Sequence, residues 1–195
     1  MMIPTVPNFV TGDTSMLKMR QLSQCVSFVS DASAFPVWHA YLAATQTLAS
    51  AGTRYTVEWP YVAFDSDRVL SPAGVTVVTP GFYTCEACIP FQTQSNANFV
   101  TAQFQFTAGT YNPQFTAGAT VDFGTKSGTA YAGTGDDEVL NLDDLCPVAC
   151  YPGDSIAVRA WGSLSNTVID ANDPVSATGG RFVANFTGRW VRCGT

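Results

Sequence analysis

The chain has 195 residues and a mass of 20.8 kDa, which is enough for one well-buried domain with an appendage. Its 9 basic and 15 acidic residues give a formal net charge of −6. It therefore lacks the basic surface that nucleic acids and anionic membranes select. Charged residues make up only 12% of the chain and aromatic residues another 12%, a composition typical of many short strands joined by turns.

The sequence contains no signal for insertion into a membrane. No apolar run approaches the roughly 18 residues that a membrane-spanning helix needs. Residues 1–8 also lack the basic stretch and the apolar core of a secretory signal. We therefore expect neither a membrane anchor nor a secretory signal, and we expect no nucleic-acid partner.

Residues 1–12 predict an extended arm, because Pro4, Pro7 and Gly12 interrupt any helical period. From Asp13, which can cap a helix, apolar residues recur every three or four positions. These residues are Met16, Met19, Leu22, Val26 and Val29. They predict a short amphipathic helix whose apolar stripe packs either on its own domain or on identical neighbours in a coiled-coil neck.

Residues 33–195 contain many short segments in which apolar and polar residues alternate. Residues 98–107 alternate Val, Ala and Phe with Thr and Gln, which is typical of a strand with one solvent-exposed face. Pro80 and Gly81 predict a turn that begins the longest strand. Residues 35–42 are apolar on both faces, which predicts a strand buried on two sides. Eight or more strands without alternating helices predict an all-β jelly-roll sandwich.

Four motifs follow one another in a set order, each combining a strand with turn residues. They are residues 61–70, 78–83, 142–158 and 182–191. Together they resemble the domains of the tumour necrosis factor and complement globular-head superfamily over about residues 35–193. The resemblance implies a ten-stranded jelly roll that assembles as a homotrimer about an aromatic-lined axis. The sequence departs from the family in residues 109–135, where Gly109, Gly118 and Gly124 predict turns.

Residues 6–14 and the helix that follows carry a second resemblance. They are similar to the start of many head or tail appendage proteins of phages that infect actinobacteria. This resemblance implies that residues 1–30 dock onto other capsid or tail proteins of a virion. We therefore predict a non-enzymatic phage structural protein, such as a head fibre, a minor tail protein or a capsid decoration protein. Residues 1–32 are its arm and docking helix, and residues 33–195 are its projecting jelly-roll head.

Three other functions are consistent with the sequence. The head could bind a glycan of the host envelope and thereby act in host attachment. It could instead hydrolyse that envelope, or it could be a bacterial binding module that reaches the cell exterior by another route. The hydrolase would have to use His39, the only histidine, or an acidic pair. We expect His39, which lies between apolar residues, to pack or to line an interface.

The six cysteines allow three interpretations: a zinc site, a disulfide or small buried thiols. Strand geometry disfavours zinc, because Cys85 and Cys88 would point to opposite faces of a strand. By the same geometry Cys146 and Cys150 would lie two side-chain repeats apart.

The remaining candidate site residues are acidic or aromatic. Residues 136–138 with Asp143 and Asp144 offer oxygen ligands for calcium, although a solvated loop explains them as well. We expect no cofactor beyond this possible calcium ion. Tyr111 and Tyr131 lie in the Gly-rich insert, so they are the predicted surface contacts.

Overall fold

The computed structural model describes residues 36–42, 44–92, 98–130, 138–171 and 184–192. The predicted arm, the predicted docking helix and Tyr131 lie outside these ranges. Within the described residues the chain forms thirteen strands and no helix. None of these residues therefore belongs to a helix long and apolar enough to cross a bilayer.

The strands follow the chain from residue 37 to residue 192. Their bounds are β1 Val37–Tyr41, β2 Gln46–Leu48, β3 Tyr55–Thr56, β4 Tyr61–Asp65, β5 Leu70–Ser71, β6 Gly74–Thr76, β7 Phe82–Gln92, β8 Asn98–Thr107, β9 Thr120–Ala130, β10 Glu138–Leu145, β11 Ser155–Gly162, β12 Thr167–Ile169 and β13 Asn185–Arg192. Five of the described strands have only two or three residues. Because these short strands are included, the number of strands exceeds the ten that the resemblance implies.

The described strands form two antiparallel sheets. The first sheet has the order β2-β12-β7-β13-β1-β4, and β10 also pairs with β7. β10 and β13 lie on opposite edges of β7, because Cys88 of β7 pairs with a residue of each strand. The second sheet has the order β5-β6-β11-β8-β9, and β3 also pairs with β11. The predicted all-β jelly-roll sandwich is confirmed.

An aromatic cluster joins the two sheets in the core. Phe186 of β13 contacts the ring of Trp38 at 5.6 Å and that of Trp59 at 5.7 Å between centroids. Phe104 of β8, in the second sheet, contacts Phe186 at 6.2 Å. All four side chains are buried. Such offset and edge-on contacts add to the free energy gained by removing large rings from water.

The prediction of a strand buried on two sides is wrong for β1. Trp38 and Ala40 are buried in the core, but His39 between them is exposed. Val37 and Tyr41 are half-buried on the same side as His39. No described element covers that side, so these apolar residues belong to a surface and not to a second layer of core.

The prediction of a turn at Gly124 is also wrong, because Gly124 lies within β9. The register between β8 and β9 shifts between Ala102 and Phe104, opposite this glycine. Gly124 has a φ of +61°, a conformation that glycine adopts without steric cost. The glycine therefore allows a β-bulge and does not end the strand.

Candidate functional site on the open face of the first sheet

The first sheet has one face that points away from the second sheet, and we call it the open face. Directly opposed residues of antiparallel strands point to the same side, so side chains of β1, β13, β7 and β10 meet there in rows. One row is His39, Thr187, Glu86 and Asp143. The adjacent row is Val37, Arg189, Thr84 and Leu145. No described element covers these rows.

The centre of the open face is a shallow hollow of about 360 Å³. His39, Glu86 and Arg189 line the hollow and give it groups of both charge signs. Its floor includes Gly188, above the buried ring of Trp38. The hollow is therefore broad and polar at its rim, as a protein contact surface is.

One end of the open face is an aromatic edge formed by β4, which pairs only with β1 among the described strands. Tyr61, Val62 and Phe64 are 51%, 51% and 53% exposed. The ring of Tyr61 stacks on that of Tyr41 of β1, with centroids 5.5 Å apart and planes at 18°. Phe64 lies opposite His39. We call Tyr41, Tyr61, Val62 and Phe64 the aromatic edge.

The groups on the open face do not assemble into a recognisable catalytic site. His39 is exposed, and among the described residues no hydrogen bond or ion pair joins it to a carboxylate that could orient it. Cys88 is the described thiol on this face, and burial raises its pKa, which keeps it protonated and weakly nucleophilic. The arrangement is suited to binding another surface through apolar contact with a polar rim.

The predicted contact residue Tyr111 lies on a well-anchored loop and is 78% exposed. The anchor is the buried carboxylate of Asp154, which accepts hydrogen bonds from the backbone N–H groups of Gly109 at 2.6 Å and Tyr151 at 2.7 Å. The side-chain amide of Asn112 donates a third hydrogen bond at 2.8 Å. Tyr111 is therefore displayed to solvent from a fixed backbone, and its role in a contact stays a prediction.

The predicted calcium ligands are only partly within the described residues. Asp143 and Asp144 are successive residues of β10, so their carboxylates point to opposite faces of the sheet. Asp143 lies on the open face, whereas Asp144 points towards Gly124 of β9. In the described part of the chain, no three His, Cys, Asp or Glu side chains are close enough to hold a metal. Calcium binding through residues 136 and 137 stays a prediction.

One pair of cysteines lies closer together than the sequence predicts. Cys85 is buried in the core and Cys88 lies on the other face of β7, as predicted. Cys146 and Cys150, expected to lie two side-chain repeats apart, have sulfur atoms only 3.6 Å from each other. The chain leaves the strand conformation after residue 145, so strand spacing does not apply to this pair.

The outer face of the second sheet carries a polar patch around Trp161, whose polar members no sequence motif indicates. The guanidinium of Arg54 lies 4.9 Å from the ring centroid of Trp161 and pairs with Asp122 at 2.7 Å. Gln105 donates to Asp122 at 2.9 Å and accepts from Arg159 at 2.9 Å. These residues are far apart in sequence and meet only through the pairing of four strands, so no local motif could reveal them.

The patch has a defined charge state. Partial burial raises the pKa of Asp122, but hydrogen bonds from the Gln105 amide and from Arg54 outweigh it and hold that pKa below its usual range. Asp122 is therefore ionised at neutral pH and fixes Arg54 over Trp161. Trp38 and Trp59, unlike Trp161, are buried in the core.

No protein-family model and no curated protein matches the sequence. Solved structures do share the fold. The globular domain of zebrafish complement 1qA superposes with a TM-score of 0.51 at 13% identity, over 82% of this chain and 99% of that one. Murine APRIL at pH 5.0 gives 0.51 at 12% identity, over 80% and 99%. Eiger TNF from S. frugiperda gives 0.50 at 10% identity, over 83% and 95%. The described domain is thus a TNF/C1q-like jelly roll.

Proposed function

We propose that this chain is a homotrimeric, non-enzymatic structural protein of a phage virion. The observation that carries the trimer is the aromatic edge, which exposes half of each of three apolar side chains on an edge strand. Natural proteins protect edge strands with charges, bulges or covering segments. Exposed apolar patches with a polar rim mark contacts between proteins.

A threefold axis accounts for both parts of the candidate site. In a ring of three copies, the aromatic edge of each copy packs onto the open face of the next, and the ring closes. Val37 and Leu145 on the open face supply the apolar receiving surface, and the charged groups of the hollow set the register. The TNF/C1q-like fold supports this arrangement, since the sequence resemblance implies the same assembly.

The virion location rests on the N-terminal residues. Residues 1–30 resemble the docking segments of phage head and tail appendage proteins. In this proposal they attach the trimer to capsid or tail proteins, and the jelly-roll heads project from the particle. Assembly takes place in the host cytoplasm, and the finished protein is a component of the virion.

The solution mass of the full-length protein tests the trimer directly. Light scattering should give three times 20.8 kDa, which is about 62 kDa. The value should not change with reductant or chelator, because neither thiols nor metal ions hold the proposed interface. A monomer near 20.8 kDa would refute the trimer.

Deletion of residues 1–30 tests the docking role. The truncated chain should still fold and form trimers, because the aromatic edge and the open face remain. It should fail to join particles assembled in its presence, whereas the full-length chain should join them. Particles that carry the truncated chain would contradict docking through this segment.

The polar patch favours a second function, recognition of a host-envelope glycan. Sugars pack their apolar faces on aromatic rings and hydrogen-bond to flanking polar side chains. Trp161 with Arg54 and Asp122 offers both kinds of contact. Binding of the full-length protein to an array of envelope glycans should be lost in Trp161→Ala and kept in Tyr111→Ala. Loss in the Tyr111 variant alone would place the contact on the loop, and no binding at all would exclude this function.

A further inference from the structure

A pair of buried thiols lies at the end of β10, outside both the open face and the polar patch. Cys146 and Cys150 are each 0% exposed, and their sulfur atoms are 3.6 Å apart. Cys146 donates its backbone N–H to the carbonyl of Tyr83 at 2.8 Å. Cys150 exchanges two backbone hydrogen bonds with Gly81, of 2.8 and 2.9 Å. Both cysteines are therefore held against the start of the same strand, β7.

The register explains why the sulfur atoms meet. Tyr83 and Gly81 are two residues apart on one chain, but their partners Cys146 and Cys150 are four residues apart on the other. The two additional residues form a bulge, and Cys146 and Cys150 point inward on either side of it. On a regular strand the two residues would be about 13 Å apart. The backbone thus brings together two side chains that the strand repeat would separate.

We propose that Cys146 and Cys150 are a disulfide-forming pair that closes when the protein meets an oxidising medium. The sulfur atoms need to approach from 3.6 Å to the bond length of about 2.05 Å. A rotation of the two side chains supplies a movement of this size. The assignment does not depend on the proposed virion function, because it follows from the backbone of the described domain.

The reaction needs an oxidant, and a small-molecule disulfide such as oxidised glutathione is sufficient. The Cys146 thiolate attacks one sulfur of that disulfide, forms a mixed disulfide and releases one thiol. Cys150 then loses its proton and attacks the Cys146 sulfur, which releases the second thiol. The pair gives up two protons and two electrons, and the small disulfide is reduced to two thiols.

The thiols differ in a way that supports this order of events. The hydrogen bond from the Cys150 thiol lowers the pKa of Cys146, so Cys146 supplies the first thiolate. Burial raises the pKa of the nearby Cys85 well above its usual value, so Cys85 stays protonated. Pro147, between the pair, is exposed, so a local opening of this short bulge gives the oxidant access.

The experiment uses the full-length protein, purified with reductant and then exposed in its native state to oxidised glutathione. Remaining thiols are blocked with N-ethylmaleimide under denaturing conditions, and the protein is digested with trypsin. Cleavage after Lys126 and Arg159 releases residues 127–159, which contain Cys146 and Cys150 and no other cysteine. Their oxidation state is therefore measured on one peptide.

The proposal requires that this peptide carries no maleimide and is about 2 Da lighter than its reduced form. A peptide labelled at both cysteines would overturn it. So would a cross-link to residues 69–126, which contain Cys85 and Cys88. A mixed disulfide of glutathione with one of the two cysteines that persists after long incubation would also overturn it. The second step of the reaction would then have failed.

The melting temperature is a second measurement, and in the wild type it does not depend on how well any variant folds. In the wild type, oxidation should raise the melting temperature by about 4–8 °C, the gain expected for closing a short loop in a domain of this size. Cys146→Ser should abolish this shift, and Cys88→Ser, the matched control, should keep it. An equal shift in Cys146→Ser would assign the effect to other thiols and overturn the proposal.

Discussion

Asp154 shows how one buried carboxylate organises several loops. It lies in the turn before β11, and its two oxygen atoms accept hydrogen bonds from Gly109, Asn112 and Tyr151. The carboxylate is 0% exposed, so these three donors replace the water that it loses on folding. The residue therefore connects the turn before β11 to the loop that displays Tyr111.

We expect Asp154→Asn to lower the free energy of unfolding by about 2–4 kcal/mol, because the amide group faces buried donors that it cannot satisfy. Urea denaturation followed by tryptophan fluorescence measures the loss. Asp122→Asn is the control, since it removes an exposed ion pair and should cost less than about 1 kcal/mol. Equal losses in the two variants would contradict the anchoring role of Asp154.

The lowered pKa of Asp122 predicts how the stability of the fold changes at acid pH. Its folded pKa is lowered, so the group stabilises the fold above its unfolded pKa of about 3.9. This contribution is lost as the pH falls through the folded pKa. Because Asp122 is partly exposed and screened by solvent, we expect the free energies of unfolding of the wild type and of Asp122→Asn to differ by at most about 1 kcal/mol. The difference should be constant above about pH 5 and shrink below about pH 4, and a difference independent of pH would contradict it.

The packing of β13 on β1 explains the closing motif of the sequence, Phe186-Thr187-Gly188. Phe186 joins the core cluster and Thr187 lies on the open face. A Cβ at Gly188 would overlap the Trp38 ring and lie 2.7 Å from the carbonyl oxygen of Thr84. Gly188 is therefore required by a close approach between elements and not by its backbone conformation.

We expect Gly188→Ala to destabilise the protein by about 1–3 kcal/mol, because the added methyl group overpacks the contact with Trp38. Trp38→Phe in the same chain should recover part of the loss, since the smaller ring leaves room for the methyl group. Thr187→Ser, on the opposite side of β13, should change stability by no more than about 0.5 kcal/mol. Urea denaturation is measured for the wild type, for the single variants Gly188→Ala, Trp38→Phe and Thr187→Ser, and for the double variant. Strictly additive effects of the two core substitutions would show that the clash lies elsewhere.

At the scale of the whole molecule, the two sheets have different outer faces. The first sheet exposes an aromatic edge and a hollow with groups of both charge signs. The second sheet is covered by a network of paired polar side chains around Trp161. Burying a surface whose polar groups are already paired yields little free energy, whereas burying an apolar edge is favourable. The first sheet is therefore the proposed assembly surface, and the second faces outward.

We expect Phe64→Glu to convert the proposed trimer into a monomer near 20.8 kDa without loss of fold, because Phe64 is 53% exposed in the single chain. The substitution places a charge in the apolar part of the proposed interface. Phe99→Glu is the matched control: Phe99 is 67% exposed on the second sheet, and the trimer should persist. Light scattering and circular dichroism measure mass and fold. A trimer in Phe64→Glu, or a monomer in Phe99→Glu, would contradict the proposed interface.

Much of the fold could be predicted because it depends on local chemistry. Alternation of apolar and polar residues identified β8 and its buried face, since side chains alternate along any strand. The turn at Pro80 and Gly81, which begins β7, could be recognised because turn residues act over a few positions. The order of these features along the chain was enough to indicate a TNF/C1q-like jelly roll.

The sites depended on partners that are distant in the sequence. Alternation showed that β1 has two apolar faces, but only the position of the strand between β13 and β4 decided that one face is uncovered. The contact of Arg54 with Trp161 and the approach of Cys146 to Cys150 follow from sheet order and from a bulge in register. The sequence by itself determined the class of fold and the faces of its long strands, because these follow from local periodicity. Tertiary structure decided which surfaces stay open and which side chains meet, because strand pairing is a long-range choice.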